Sequence, residues 1–301
     1  MTTYPTNGPV NVRTNLADSA LANALKTGLV DTGQATFAFT GAKAPNTGNK
    51  FFKPLVRDGV FDAGELAIVT YLQAKAYGKP LVLLPATVVG RFQHHCIGYN
   101  VDRGKLTPGD LEGRRVGVRA YTQTTGLWVR GILQHEYGVD LNRVTWVCQE
   151  DAHLAEYREP SNVERVSDSK TLPQMLLDGE IDAAILGFNM PDDQRIKSLI
   201  PNPREAAMAS YEKTGALPLN HLFVVSSELS KARPDVVRDI YKALEASKAA
   251  MGAMNGLDML PFGHDNVRKG VELAIDYALE QKLIPRRLAF DELFDDTTRQ
   301  L

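Results

Sequence analysis

Arg115-Val116-Gly117-Val118, then Arg119-Ala120-Tyr121-Thr122-Gln123-Thr124-Thr125-Gly126, then an apolar-faced stretch 127–137 closed by Gly138, then Val144-Thr145-Trp146-Val147: this run decides how the chain folds. The two Val-containing segments have the length and composition of buried strands. The stretch between them reads as a helix, and Gly138 supplies the left-handed residue at which helices commonly stop. Strand, helix and strand at this spacing form a parallel crossover unit, the building block of α/β architecture.

The same alternation recurs on both sides of that run. Upstream, strands are expected at 10–16, 35–40 and 81–86, the last ended by Pro85, with helices at 21–29, 50–58 and 67–77. A polar loop at 41–48 and the segment Phe61-Asp62-Ala63-Gly64-Glu65-Leu66, read as a turn, lie between them. Downstream come a helix at 169–178, a strand at 181–186, a loop-rich 189–202, a helix at 205–215, a strand at 221–226, and helices at 234–251 and 266–281. A strand at 95–100 reads as the first crossing into a second lobe, and 221–226 as the return. The expected fold is therefore α/β and two-lobed, with an interlobe cleft. Residues 1–92 and 222–301 form a discontinuous first lobe and 93–221 a second, with hinges near 87–99 and 215–224. The 301 residues suit two lobes of about 100 to 150 residues each.

A formal net charge of −2, with no dense Lys/Arg block, gives nothing to grip a phosphate backbone, so no nucleic-acid partner is expected. No stretch is apolar for long enough to span a bilayer, so no membrane partner is expected either. The opening residues 1–8 lack a basic then apolar export pattern, which predicts a cytoplasmic protein. Cys96 and Cys148 make no disulfide framework. The six histidines, at 94, 95, 135, 153, 221 and 264, form no H-x-x-x-H pattern, and no C-x-x-C is present, so no metal is assigned. A long-range set of His94, His221 and Glu65 is the one alternative. The absence of a P-loop, a G-x-G-x-x-G and a nucleophile elbow argues against nucleotide hydrolysis, dinucleotide redox and serine hydrolysis in their common forms.

The chemistry is expected beyond the carboxyl ends of strands. Residues 118–125 lie between a strand and a helix start, where unpaired N–H groups favour an anion. Thr124 or Thr125 is expected to cap that helix and lend a hydroxyl to a carboxylate, and Arg119 to add a bidentate clamp. Ordinary capping beside a solvent-facing Arg119 is the alternative. In Arg91-Phe92-Gln93-His94-His95-Cys96, adjacent histidines on an extended strand point in opposite directions, so one of them could face the cleft; a pair of partly exposed loop histidines is the alternative. Histidine exchanges protons near neutrality, and Arg91 can hold a carboxylate. Glu65 is the first-lobe carboxylate, with Asp62 equally placed; either could instead serve its own helix. His221 opens the return crossing. Tyr71 could flank an aromatic ring, or simply fill a core.

Several segments together resemble the 4,5-dihydroxyphthalate decarboxylase family. They are Phe61 through Leu66, Phe92 through Asn100, Leu111 through Gly138, Tyr211 through His221, Pro261 through Asn266, and the terminal run Gln281-Lys282-Leu283-Ile284-Pro285-Arg286-Arg287-Leu288-Ala289-Phe290-Asp291-Glu292-Leu293-Phe294. Gly113 through Val118 and Trp128-Val129-Arg130-Gly131-Ile132-Leu133 carry much of the likeness. Gln93 stands where relatives commonly have an arginine. The resemblance implies a type 2 periplasmic-binding-protein fold and non-oxidative decarboxylation of a hydroxylated aromatic carboxylate, with 4,5-dihydroxyphthalate going to protocatechuate and CO2 as the leading case. It implies His94 as acid, His221 or Glu65 assisting at the phenol, and Arg91, Arg119, Tyr121, Thr124, Thr125 and Tyr71 around the substrate. No organic cofactor is called for. The partner is a small aromatic carboxylate, and a homo-oligomer using the C-terminal segment is compatible with the composition. The rival reading is a solute-binding protein for a small aromatic carboxylate. A third is an enzyme of menaquinone precursor synthesis.

Overall fold

The computed structural model describes residues 4–40, 48–188, 190–252 and 256–301. Apart from Gly48, the loop expected at 41–48 lies outside the described residues, as does Asn189. Through residue 90 the chain forms β1 (Val10–Asn15), α1 (Ala20–Lys26), β2 (Ala35–Thr40), α2 (Phe52–Asp58), β3 (Ala63–Ala67), α3 (Ile68–Ala76) and β4 (Leu81–Gly90). Next come β5 (Ile97–Asn100), β6 (Arg115–Val118), α4 (Thr124–Tyr137), β7 (Thr145–Cys148), β8 (Val163–Arg165), α5 (Leu172–Asp178), β9 (Ala183–Ile185) and β10 (Ile196–Ser198). Then follow α6 (Pro203–Thr214), β11 (Leu219–Ser226), α7 (Ser227–Ala232), α8 (Pro234–Ala249) and α9 (His264–Glu280).

The chain divides into two compact units. Unit 1 holds Met1–Gly90, Leu219–Glu272 and Arg286–Leu301; unit 2 holds Arg91–Pro218 and Leu273–Pro285. Leu273–Pro285, read from sequence as part of the first lobe, thus fall in unit 2, with the boundary inside α9. Unit 1 is built on a five-stranded sheet in the order β2-β1-β3-β11-β4. β1 is parallel to β2 and β3, while β11 runs antiparallel to β3 and β4. Its core packs Val12, Leu84, Phe223 and Val225 against Leu21 and Leu25 of α1 and Val236, Val237, Ile240 and Leu244 of α8. Each such side chain contributes about 1.5–3 kcal/mol on full burial.

Two sequence expectations fail here for physical reasons. The turn expected at 61–66 is mostly strand β3, buried throughout. Glu and Gly disfavour strands in isolation, but a central position between β1 and β11 overrides propensity. Gly64 is needed there, because a Cβ would lie 2.5 Å from the Asn15 carbonyl oxygen. Similarly, β4 does not end at Pro85 but continues to Gly90. It lies at the sheet edge, where proline is tolerated.

Unit 2 has a six-stranded sheet in the order β10-β5-β9-β6-β7-β8. β6 is parallel to both β7 and β9, and β5 is antiparallel to β9 and β10. α4 ends at Gly138 in the left-handed conformation (φ 69°), as its sequence predicts. The strand expected at 95–100 is shorter: His94–Cys96 form a 3-10 turn before β5. Its two histidines therefore do not obey the alternation of a strand.

Candidate functional site

The topology of unit 2 marks one position. From β6 the chain crosses through α4 to β7 on one side, and it later returns through α5 to β9 on the other. The carboxyl ends of β6 and β9 are where the crossovers part, and open α/β sheets leave a ligand crevice at such a point. β6 leads to Arg119 and the start of α4; β9 leads to Leu186, Gly187 and Phe188.

The N-cap of α4 is Gln123, and its side chain makes no capping hydrogen bond. Thr124 and Thr125, expected as caps, instead occupy the first turn, which also holds no acidic residue. Helical backbone angles at a first-turn residue turn its hydroxyl away from the N–H groups that an N-cap would reach. The leading N–H groups and the positive end of the helix dipole are thus left without a side-chain acceptor. The Thr124 hydroxyl is buried and makes no hydrogen bond. That of Thr125 lies 3.4 Å from Nη2 of Arg91.

Arg91 is the centre of a small cluster. Its guanidinium stands 5.5 Å from the ring centroid of Phe188, which is 59% exposed. The His95 ring meets the same phenyl edge to face at 5.5 Å. Desolvation, with Arg91 adding to it, holds the His95 pKa below the usual imidazole range. Gln93, fully buried, donates from Nε2 to the Arg91 carbonyl at 2.9 Å and accepts from the Cys96 thiol at 3.4 Å. The neutral amide here ties down the turn that carries Arg91.

The other residues expected in this site are placed differently. His94 turns away from Arg91's cluster. It is almost fully buried, and its Nε2 lies 3.0 Å from Glu136 Oε2, while Ser210 donates to Glu136 Oε1 at 2.7 Å. That pocket, lined also by Phe92, Trp128, Tyr211 and Tyr277, leaves about 20 Å3 for a water-sized occupant. This is room for about one water, not an aromatic acid. Arg119 is partly exposed and pairs loosely with Glu150 at 3.7 Å. Tyr121 and Tyr71 do not line an open surface. The Tyr121 hydroxyl donates to the Gln281 carbonyl at 3.2 Å within the unit 2 core. Tyr71, in the unit 1 core, donates to the Leu293 carbonyl at 2.5 Å. Each side chain is buried within its own unit.

Unit 1 has its own switch point at the carboxyl end of β1, which lies between β2 and β3. Glu65, on β3, is nearly inaccessible. Burial raises its pKa to about 7, against the opposing effect of a hydrogen bond from the Ala17 backbone and of Lys26. His221 Nδ1 lies 3.8 Å from Glu65 Oε1, and Phe52 packs edge-on to the imidazole at 5.2 Å. A carboxyl whose pKa burial raises to about 7 thus stands near an imidazole, at a separation longer than a direct hydrogen bond. Asp62 has a different fate. It accepts from Arg13 Nε, Nη2 and backbone N at 2.9, 2.6 and 2.9 Å, and from the Tyr4 hydroxyl at 2.8 Å, so its role is structural.

Sequence reading missed Phe188, Glu136 and Arg130. Phe188 had a signal, an aromatic residue following Gly187 just past the end of a strand. Arg130 had one too, a charge inside the apolar run Leu127 to Leu133. Among the described residues, no group of three His, Cys, Asp or Glu side chains is placed to hold a metal, and no helix is long and apolar enough to cross a membrane.

The fold is that of the type 2 periplasmic binding proteins. The periplasmic aliphatic sulphonate binding protein of Escherichia coli superimposes with a TM-score of 0.59 at 12% identity, covering 98% of this chain and 94% of that one. The alkanesulfonate-binding protein of Xanthomonas axonopodis pv. citri, bound to MOPS, gives 0.54 at 17% identity, covering 96% and 99%. The expected cytoplasmic location is overturned by this likeness, because the fold is one carried by a periplasmic binding protein. No protein-family model matches the chain. At family level the chain is linked to 4,5-dihydroxyphthalate decarboxylase: the protein of that name from Comamonas testosteroni is 28% identical over 281 residues, covering 83% of each chain. Its namesake from Pseudomonas putida is 34% identical over 143 residues, 45% of this chain and 55% of that protein.

Proposed function

We propose that this protein is an enzyme of aromatic-carboxylate catabolism, a carboxy-lyase that removes CO2 without oxidation from a hydroxylated aromatic acid. The leading substrate is 4,5-dihydroxyphthalate, with protocatechuate as product. The observation that carries the reading is the uncapped first turn of α4 with Arg91 drawn onto Thr125. Anions suit that turn, and a carboxylate suits a guanidinium fork. The family-level link supplies the aromatic character of the acid and the reaction class.

Cleaving the ring–carboxylate bond directly would leave an aryl anion, which is costly. A phenolic hydroxyl gives a cheaper route. Loss of its proton pushes electron density into the ring, and an acid protonates the carbon that bears the carboxylate. The bond to the carboxylate then breaks, its electron pair returns to the ring, CO2 departs and aromaticity is restored. Arg91, Arg119 and the first turn of α4 hold carboxylates in this scheme, and the exposed face of Phe188 suits stacking with a ring. The proton donor is His95 rather than His94, since His95 shares Phe188 with Arg91 while His94 is engaged by Glu136. A bound carboxylate offsets the effect of Arg91 on His95 and favours its protonated form. Glu65, whose pKa burial raises to about 7, is the carboxyl we assign to proton exchange near neutral pH. The route needs no organic cofactor.

The test is CO2 release, with product analysis, from purified protein incubated with hydroxylated phthalates and benzoates. Turnover with at least one of them is expected. Binding without any CO2 release would replace the enzyme by a receptor for aromatic acids.

A further inference from the structure

α4 carries a cation that the proposed chemistry leaves unused. Arg130 is completely buried (0% exposed) on the inner face of that helix. Its Nε donates to Gln281 Oε1 at 2.8 Å and its Nη2 to the Tyr121 carbonyl at 2.7 Å. Both acceptors are neutral. The guanidinium also lies 4.1 Å from the ring centroid of Tyr121 and 5.3 Å from that of Trp146. Nη1 has no hydrogen-bond partner. The ionisable groups that act on Arg130 are Tyr121, Cys148 and Tyr157. Burial raises the pKa of Tyr121 and pushes that of Cys148 up to about 12, so neither carries a negative charge at neutral pH. Among the described residues Arg130 makes no ion pair.

Arginine does not give up its proton in such a place. A buried charge without a counter-ion is among the most unfavourable arrangements a protein core can hold, and a neutral apolar residue of similar size would relieve it. The position of the guanidinium suggests what offsets it. A Cβ added to Gly126, in the first turn of α4, would lie 3.0 Å from Nη1 and 3.5 Å from the guanidinium carbon. Arg130 therefore fills the space that a side chain at 126 would take, directly beneath the uncapped first turn. The hydroxyl of Thr124, also buried and without a hydrogen bond, belongs to the same turn.

We infer that Arg130 is a buried positioning residue of the carboxylate site, whose unpaired charge adds to the dipole of α4 and is balanced by the bound aromatic carboxylate. This deepens the proposed function and rests on its placement of a carboxylate at α4. Arg130 acts through the helix turn without touching the ligand. Its contribution is thus electrostatic and depends on ligand charge more than on ligand shape.

The experiment compares the full chain with Arg130→Met, Arg130→Lys and Gln281→Glu, titrating benzoate, phthalate and the neutral benzamide by calorimetry and recording thermal stability. Arg130→Met removes the charge. Gln281→Glu supplies a counter-ion to Nε from within the protein. Both are expected to weaken benzoate and phthalate binding at least about tenfold, at the scale of a unit charge acting over several ångströms, and to leave benzamide unchanged. Arg130→Lys is expected to retain most of the benzoate affinity. Folded variants that bind benzoate as the wild type does, or lose benzamide equally, would overturn the inference. If Arg130→Met does not fold, Gln281→Glu decides alone: unchanged benzoate affinity overturns it. Wild-type protein that binds neither benzoate nor phthalate overturns it as well. Charge-dependent binding without CO2 release from any hydroxylated acid would instead sink the decarboxylase reading and leave Arg130 in its role.

Discussion

At the carboxyl end of β1, unit 1 gathers a carboxyl group and an imidazole, Glu65 and His221. At the carboxyl end of β6, unit 2 gathers Arg119, the start of α4 and, buried beneath that start, Arg130. Both positions are topological switch points of an open sheet, so backbone topology offers each the same opportunity. What differs is how burial acts on the groups placed there. Glu65 answers burial by holding its proton up to about pH 7. Arg130 has no such escape and stays charged. The contrast separates two responses to burial: a titratable group in a dry site keeps its proton, and a non-titratable one stays a fixed charge.

The contrast breaks most visibly, if at all, at Glu65. Glu65→Gln is expected to lower kcat about 100- to 10,000-fold, the range for loss of a general acid or base, with little change in the Kd for benzoate. Steady-state kinetics and calorimetry together read this, and unchanged kcat would remove Glu65 from the chemistry. A second consequence concerns stability. Because burial raises the Glu65 pKa from 4.5 to about 7, its contribution is fully present below about pH 4.5 and is lost as pH rises through 7. At a scale of about 1.4 kcal/mol per pKa unit, the loss between 4.5 and 7 is at most about 3.5 kcal/mol. Glu65→Gln should flatten that decline in urea unfolding measured from pH 4.5 to 8; a parallel decline in both proteins would show that Glu65 does not titrate as described.

In unit 2 the expected effect is on binding. Arg91→Ala should weaken benzoate affinity about 10- to 100-fold, as for loss of a charge-assisted hydrogen bond, and should raise the pKa of His95 by removing a neighbouring cation. Imidazole titration by NMR distinguishes this from a general loss of fold. The smallest change is expected at Arg119. Its loose pairing with Glu150 and its exposure limit Arg119→Ala to a few-fold in Kd, in keeping with the small energies of exposed charges. An Arg119 effect as large as that of Arg91 would move the carboxylate to the β6 side of the turn.

Much of this was legible in the sequence. The run 115–147 gives β6, α4 and β7 because its apolar periods are clean and Gly138 marks the stop. The start of α4 was legible as a helix opening directly after a strand, since polar residues separate the two apolar runs there. β3 was not, because Gly64 and Glu65 belong there through their neighbours in the sheet and not through their own preference. His94 and His95 were assigned on the alternation of a strand, and a 3-10 turn gave them other directions. Phe188 comes to Arg91 from 97 residues further along the chain, and no local pattern carries such a contact. Arg130 was passed over because a charge on a helix ordinarily signals its wet face.

Proline at residue 85 has an effect on the outer margin of the unit 1 sheet. β4 offers no N–H at Pro85, and the carbonyl there is taken by the Gly263 amide at 2.8 Å, while Ala86 bridges to Phe262 and the Thr87 amide reaches the Pro261 carbonyl at 3.3 Å. Those groups are spent, so a strand from another molecule finds no continuous ladder to extend along this border. Any assembly of this chain across that margin has to be made by side chains meeting, not by one sheet growing into the next.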